Sequence, residues 1–286
     1  MRKILVIISC FFFAAVLSAC GGGGGGSHGD NDSGDDGGSG GGGSDLVNHH
    51  PGEIPGLGEY PGELQGMPFV LPQGVMLNGD IRGADYNWLY YTASSSLNLL
   101  LSDKENKVLP PPYMNIAQAV SFPENQPYVG SGFDVTVTIP LLNTNPTETT
   151  VVFPARLIIK AKSGEYQNGM LLKETRVTIP ANTEYAVTLV MYCVNLQRMG
   201  SESSAFYGWG VVSNSSLLKD LTDRLVNKKI NVEEYDDIVL SRQPWNSPEY
   251  YSRYERLADI VWNLTDRGIA LSEDDKAWIN ALPDSN

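Results

Sequence analysis

The stretch from Tyr185 to Val194 carries apolar residues at nearly every position. Because successive side chains of a β-strand point to opposite faces, an extended chain here is apolar on both sides. Such a strand must be covered by a sheet on one side and by a second layer on the other. One face would carry Tyr185, Val187, Leu189, Met191 and Cys193, and the other Ala186, Thr188, Val190, Tyr192 and Val194.

Three segments before this strand alternate between apolar and polar residues with period two, which indicates half-buried strands. They run from Phe133 to Ile139, from Arg156 to Lys162 and from Lys173 to Ile179, and a turn follows at Pro180–Thr183. Strands of this length with turns between them predict an antiparallel β-sandwich, which we assign to residues 120–212. Residues 67–119 predict a shorter β-rich segment.

The last part of the chain, residues 213–286, reads as helical. A stripe of leucines begins at Leu217, and Ser247-Pro248-Glu249 combines a cap, a first-turn proline and a favourable acid. The helix that follows should end at Gly268, and Ser272 should begin a last one. These helices are predicted to cover the outer face of the strand that contains Tyr192.

The turn Val177–Thr183, followed by alternating Val187 and Leu189, resembles the edge turn of bacterial immunoglobulin-like surface domains. The resemblance covers residues 120–196. It implies an immunoglobulin-like sandwich, followed here by the helical segment, and no particular ligand.

The N-terminus has the order of a secretory signal: the cationic pair Arg2–Lys3, the apolar run Ile4–Val16, then small residues. The run is shorter than the roughly 20 residues of a membrane-spanning helix. Leu17–Cys20 resembles the lipobox of bacterial lipoproteins. This resemblance implies a signal peptide at residues 1–19 and a lipidated Cys20 as the mature N-terminus; a plain signal peptide cleaved near Ala19 is the alternative.

The residue after Cys20 is Gly21 and not an Asp, which resembles the outer-membrane sorting pattern of Gram-negative lipoproteins. The implied location is the bacterial outer membrane, with the membrane itself as a partner through the lipid on Cys20. The face of that membrane stays open.

Residues 20–66 predict a disordered, acidic, glycine-rich tether, because such a composition cannot bury enough apolar surface to offset its ordering entropy. Residues 21–44 contain fourteen glycines, and neither Lys nor Arg occurs between Cys20 and Ile81. As a flexible coil, residues 21–44 span about 25–30 Å. Loss of the signal peptide would take the formal charge from −13 to −15, which argues against a nucleic-acid partner.

Histidine and cysteine limit the chemistry. The three histidines are His28, His49 and His50, so a Ser-His-Asp or Cys-His mechanism is excluded from residues 51–286. Cys193 fits a buried core thiol better than a nucleophile. The acidic run at Asp30 lacks a Glu at the twelfth loop position of a calcium site, and the adjacent His49 and His50 fit linker better than a metal site. We predict no catalytic residue, metal or cofactor.

Aromatic residues are the sequence feature that favours a binding function. They cluster at Trp88, Tyr90 and Tyr91, at Phe206, Tyr207 and Trp209, and at Trp245, Tyr250 and Tyr251. Such rings can bind glycans or peptides, or they can pack between helices and sheet. Phe206, Tyr207 and Trp209 are the preferred ligand-binding candidates, since Gly208 and Gly210 suggest an exposed, irregular backbone.

Three hypotheses remain. The first is a lipid-anchored, non-catalytic binding or interaction module with an envelope protein or glycan as partner. The second is a hydrolase of envelope or extracellular glycans, which needs two carboxyl groups about 5–10 Å apart. The third is a purely structural envelope component.

Overall fold

Six antiparallel strands close into a ring in the computed structural model, which describes residues 46–84, 127–241 and 243–285. The strands are β1 (Gly66–Pro68), β2 (Val75–Leu77), β3 (Ile81–Gly83), β4 (Tyr128–Gly130), β5 (Val135–Asn143), β6 (Thr149–Phe153), β7 (Leu157–Ala161), β8 (Gly169–Met170), β9 (Thr175–Ile179), β10 (Thr183–Cys193) and β11 (Phe206–Ser213). The helices are α1 (Ser216–Leu225), α2 (Asp236–Ser241), α3 (Pro248–Thr265) and α4 (Glu273–Asn280), with 3-10 turns at Val232–Glu234 and Pro244–Asn246.

The ring runs β5–β10–β8–β7–β11–β3 and returns to β5, with every neighbouring pair antiparallel. β2 lies beside β5, β1 beside β11, and β4 parallel to β10. β6 and β9 form a separate two-stranded sheet, whose apolar side chains join the barrel core. All described residues belong to one compact unit.

The mainly β architecture with helices is as predicted, but the strands form a closed barrel where the sequence predicted an immunoglobulin-like sandwich. The closure depends on β3 and β8, which are three and two residues long. These short strands join the long ones into one ring. Neither was predicted as an individual strand, because neither contains a run of alternating apolar and polar residues.

β10 is the central strand that its sequence predicts. Val187, Leu189, Met191 and Cys193 point into the barrel, where side chains of the other strands pack around them. On the opposite face Val190, Tyr192 and Val194 pack in the helical core, where α3 contacts the strand. Both layers are therefore as expected, and the predicted covering of the outer face at Tyr192 by helices is confirmed.

The helix boundaries follow the local signals. The side chain of Ser247 accepts a hydrogen bond from the backbone of Tyr250 at the start of α3, and Gly268 has a left-handed φ of 72° after its end. Ser272 and Asp275 form a reciprocal capping box at α4. The short helix α2 and the 3-10 turns are findings that the sequence analysis did not predict.

The end of the tether was placed too late in the sequence. Ile54 and Leu57 are buried in the helical core, and Val47 forms a bridge with Ser215. The backbone nitrogen of Gly58 also donates to the carbonyl oxygen of Val194 at 2.7 Å. Residues 46–66 are thus part of the folded head, because a few apolar residues among the glycines and prolines are enough to dock them.

The predicted signal peptide, Cys20 and the acidic tether up to residue 45 lie outside the described residues, as does most of the predicted 67–119 segment. Within the described part of the chain, no helix combines the length and the apolar character needed to cross a bilayer.

Candidate functional site

The three aromatic residues chosen as ligand-binding candidates are divided by strand alternation. Phe206, Tyr207 and Trp209 all lie on β11, and the irregularity expected from the neighbouring glycines is confined to a register shift between Trp209 and Val212. Phe206 faces outward and is 37% exposed, whereas Tyr207 is 1% exposed inside the barrel. Trp209 is half-buried and packs 4.7 Å from the ring of Phe69. Only Phe206 therefore remains at the surface.

The two glycines have separate roles on the outer face of β11. A side chain at Gly208 would meet no heavy atom within 4 Å, so the backbone there is open. A Cβ at Gly210 would come within 2.6 Å of the carbonyl oxygen of Ile158, so only glycine fits at that position without a shift. The open part of the strand is accordingly its first half, around Phe206.

Two cations, Arg82 and Lys162, lie beside the ring of Phe206. Together with Gly208 and Lys160, these residues define what we call the Phe206 surface. Arg82 pairs with Phe206 across β3 and β11, and its guanidinium carbon lies 4.8 Å from the ring centroid. The Nζ atom of Lys162 lies 5.9 Å from the same centroid. Lys160 stands opposite Gly208 in the register of β7 and β11. The ring thus has cations within the range of cation–π attraction.

The charges of the Phe206 surface are partly balanced. Lys160 forms an ion pair of 3.2 Å with Glu63, and Lys162 one of 3.5 Å with Asp80. Arg82 is exposed and has no carboxylate within ion-pair distance among the described residues. A ligand group that carries negative charge would therefore meet the guanidinium of Arg82 first.

A second polar cluster lies just before β11. The hydroxyl of Tyr166 donates to the carboxylate of Glu202 and lies 3.1 Å from the hydroxyl of Ser204. The hydrogen bond to Glu202 raises the pKa of Tyr166. The cluster is exposed and adds hydrogen-bonding groups near the Phe206 end of the barrel.

Of the other aromatic clusters, the third packs between α3 and the barrel. The hydroxyl of Tyr250 donates to the carbonyl oxygen of Gly132 at 3.1 Å, and the backbone nitrogen of Gly132 lies 2.8 Å from that hydroxyl. Tyr251 stacks at 6.0 Å from Phe133. This third cluster therefore joins α3 to the barrel. Trp88, Tyr90, Tyr91 and the side chain of Trp245 lie outside the described residues.

Two carboxyl groups of the described residues have raised pKa values, and both hold structural elements together. Burial raises the pKa of Asp134 to about 6, against hydrogen bonds from Tyr254 and from the backbone of Cys193 that lower it. Burial also raises the pKa of Glu233, which accepts from the backbone of Gly130 at 2.8 Å and from Thr175. Each carboxylate is occupied by groups of the protein, at separate places.

Cys193 is a core thiol. It is fully buried on the inner face of β10, and burial raises its pKa. A thiol of this kind stays protonated and is a poor nucleophile. The reading of Cys193 as a packing residue is therefore favoured by its surroundings.

The histidines of the described region do not gather a metal site. The Nε2 atom of His49 lies 3.3 Å from the side-chain oxygen of Gln65. Among the described residues, no group of three His, Cys, Asp or Glu side chains is arranged to hold a metal ion.

Arg82, Lys160 and Lys162 were not predicted from the sequence as site residues. The alternation in Arg156–Lys162 does place both lysines on one face of a strand, opposite Leu157 and Ile159. Their approach to Phe206 could not be read from that pattern, because it depends on the pairing of β7 and β3 with β11.

Comparison with known proteins gives no relative for this chain. No protein-family model, no curated protein and no solved structure matches it.

Proposed function

We propose that this chain is a lipid-anchored lipoprotein of the bacterial outer membrane, and that its folded head is a non-catalytic binding module. Cys20 would carry the lipid, and the acidic glycine-rich segment after it would serve as a tether. The proposal is supported by the order of signal, lipobox and tether in the sequence and by the geometry of β11.

The observation that carries the proposal is the position of the Phe206 surface along β11. The described chain begins beside the C-terminal end of this strand, where Val47 bridges Ser215. Phe206 lies at the other end, seven residues before Ser213, which corresponds to roughly 23 Å of strand. A head tethered at one end of the barrel would therefore present this surface at the other end.

The chemistry of the Phe206 surface suits a flat, polar partner group with negative charge. An exposed ring beside Arg82, two residues from the open backbone of Gly208, offers stacking and charge together. Acidic glycans and acidic protein segments both have such groups. An envelope protein or glycan is therefore the partner class that we propose.

The glycan hydrolase is the weaker alternative. It requires two cooperating carboxyl groups, one of them with a raised pKa. Asp134 and Glu233 have raised pKa values, but they accept hydrogen bonds from different structural elements. Nothing in their geometry favours hydrolysis, and nothing specific favours a purely structural role.

The anchor is tested by mass spectrometry of the mature protein together with membrane fractionation. We expect a diacylglycerol-type mass increase on an N-terminal peptide that begins at Cys20, and release of the Cys20→Ser variant from the membrane fraction. An unmodified N-terminus after Ala19 would refute the anchor.

The binding surface is tested by cross-linking in native envelopes. The anchored protein is compared with the double variant Arg82→Ser/Phe206→Ser and with the matched control Arg176→Ser/Ile269→Ser. Arg176 and Ile269 are exposed at other places, and Ile269 is 50% exposed. We expect the recovery of one cross-linked partner to fall at least fivefold with the first variant and to stay unchanged with the control variant. Equal enrichment with all three proteins would refute the role of the Phe206 surface.

A further inference from the structure

A long uncharged stretch lies on the surface of the head. The sixteen residues from Leu64 to Gly79 include no Asp, Glu, Lys or Arg. Three of their large apolar side chains point into solvent: Val70 is 79% exposed, and Met67 and Met76 are each 48% exposed. The three residues lie within ten positions of one another in sequence, and exposed apolar patches mark sites of contact with another apolar body.

The base of this stretch is held firmly. The ring of Phe69 stacks 5.8 Å from Phe153 and lies 4.7 Å from Trp209, so it packs beside the barrel core. On either side, Met67 belongs to β1, which pairs with β11, and Met76 belongs to β2, which pairs with β5. The exposed apolar side chains are therefore presented on a fixed backbone.

The same stretch lies beside the point where the N-terminal part of the chain joins the head. Gly66 of β1 pairs with Ser213, and Val47 bridges Ser215 only two residues further along. Two strand residues correspond to about 7 Å. Leu46, the first described residue, is itself 47% exposed and adds an apolar side chain at this end.

We propose that Met67, Val70 and Met76 form a membrane-contact surface that rests on the bilayer to which the chain is anchored. The inference rests on the anchoring at Cys20 proposed above. Cys20 precedes Leu46 by 26 residues, so the chain between them can extend no further than about 90 Å. Anchoring keeps the head near the lipid, and a weak apolar contact then becomes an intramolecular one.

The charge of the chain indicates the kind of lipid that this surface fits. Glu63 and Asp80 border the uncharged stretch in sequence, and they form ion pairs with Lys160 and Lys162, so its borders are close to neutral. The chain as a whole has a formal charge of −13, and anionic headgroups repel a negatively charged protein. The expected occupant is therefore a zwitterionic bilayer.

The contact is tested with an environment-sensitive fluorophore on Val70→Cys and on the matched control Val239→Cys. Val239 is an exposed valine of α2, in the helical layer. Labelling is specific because the other thiol of the head, Cys193, is fully buried. The acylated protein is reconstituted into phosphatidylcholine vesicles that contain nitroxide-labelled lipid. We expect at least twofold stronger quenching at position 70 than at position 239.

A second arm separates this proposal from the anchor. The mature chain with Cys20→Ser and an N-terminal hexahistidine tag is held on nickel-chelating lipid, so that anchoring no longer needs acylation. Quenching at position 70 is expected here too, and it should weaken when a third of the lipid is phosphatidylglycerol. Equal quenching at both positions would overturn the proposal. A change at position 70 that follows protein concentration without lipid would also overturn it, and would indicate self-association.

Discussion

The hydroxyl of Tyr254 in α3 donates a hydrogen bond to the carboxylate of Asp134, immediately before β5. The other carboxylate oxygen accepts from the backbone nitrogen of Cys193 at 3.2 Å. One acidic side chain thus joins the helical layer to two strands of the barrel. Protonation of Asp134 should therefore change the free energy of unfolding of the whole head.

We expect Asp134 to make the folded head less stable as the pH rises. Its pKa is about 6 in the folded state and 3.8 in the reference state, so the folded protein binds the proton more tightly. The resulting stabilisation is fully present below pH 3.8 and is lost as the pH rises through about 6. The difference in free energy of unfolding should reach about 2–3 kcal/mol.

Urea denaturation of the wild type and of Asp134→Asn between pH 4 and pH 8 measures this effect. The amide can still accept from Cys193 and can donate to Tyr254, but it does not titrate. The variant should gain stability relative to the wild type across this range. A constant difference between the two proteins would show that Asp134 does not titrate there.

Asn143 should be a major stabilising residue at the end of β5. It is fully buried, and its amide nitrogen lies within 3.0–3.1 Å of the carbonyl oxygens of Thr147, Ile179 and Pro180. We expect Asn143→Ala to lower the free energy of unfolding by about 2–4 kcal/mol, since several buried polar groups lose their partner. The exposed Asn246→Ala serves as control in the same denaturation series and should change it by less than about 0.5 kcal/mol.

Tyr207 and Tyr250 should respond oppositely to loss of their hydroxyl groups. The buried hydroxyl of Tyr207 has no hydrogen-bond partner among the described residues, whereas that of Tyr250 bonds to both backbone groups of Gly132. Tyr207→Phe should therefore be neutral or stabilise by about 1 kcal/mol, and Tyr250→Phe should destabilise by about 1–3 kcal/mol. Thermal unfolding of the two variants tests this prediction. Equal losses of stability would mean that the hydroxyl of Tyr207 has a hydrogen-bond partner.

Gly132 and Gly208 form a matched pair for substitution by alanine. Gly132 has a φ of 97°, and a Cβ there would lie 2.6 Å from backbone atoms of Met191 and Tyr192. A Cβ on Gly208 would meet nothing within 4 Å. Gly132→Ala should cost more than about 2 kcal/mol, and Gly208→Ala should be neutral or stabilise by up to about 1 kcal/mol. Calorimetry of the two proteins tests this, and a small cost at Gly132 would show that α3 and β10 adjust easily.

The long elements of this fold were predictable because each carries its own signal. β10 has two apolar faces, and α3 begins with Ser247 and a first-turn proline. The ring was not predictable, because β3 and β8 are too short to show a period. Their positions are determined by pairing with strands that are distant in sequence.

The candidate site was predictable only in part. Of the three aromatic candidates Phe206 is exposed, and the irregular backbone expected from the glycines is limited to the segment between Trp209 and Val212. Tyr207 and Trp209 alternate with Gly208 and Gly210, which is the period of a strand with large residues inside and small ones outside. Arg82 was not predicted as a site residue because its partner, Phe206, lies on a strand far along the chain.

The closed ring sets the order in which this chain can complete its fold. The pair of Arg82 and Phe206 joins β3 to β11 across 124 positions of sequence. The barrel therefore stays open until β11 has left the ribosome, because the earlier strands cannot close the ring without it. A topology with such distant pairings folds slowly, in milliseconds to seconds. Refolding followed by tryptophan fluorescence should show this delay. For the export proposed above, the delay would give the chain time to cross the membrane before its barrel closes.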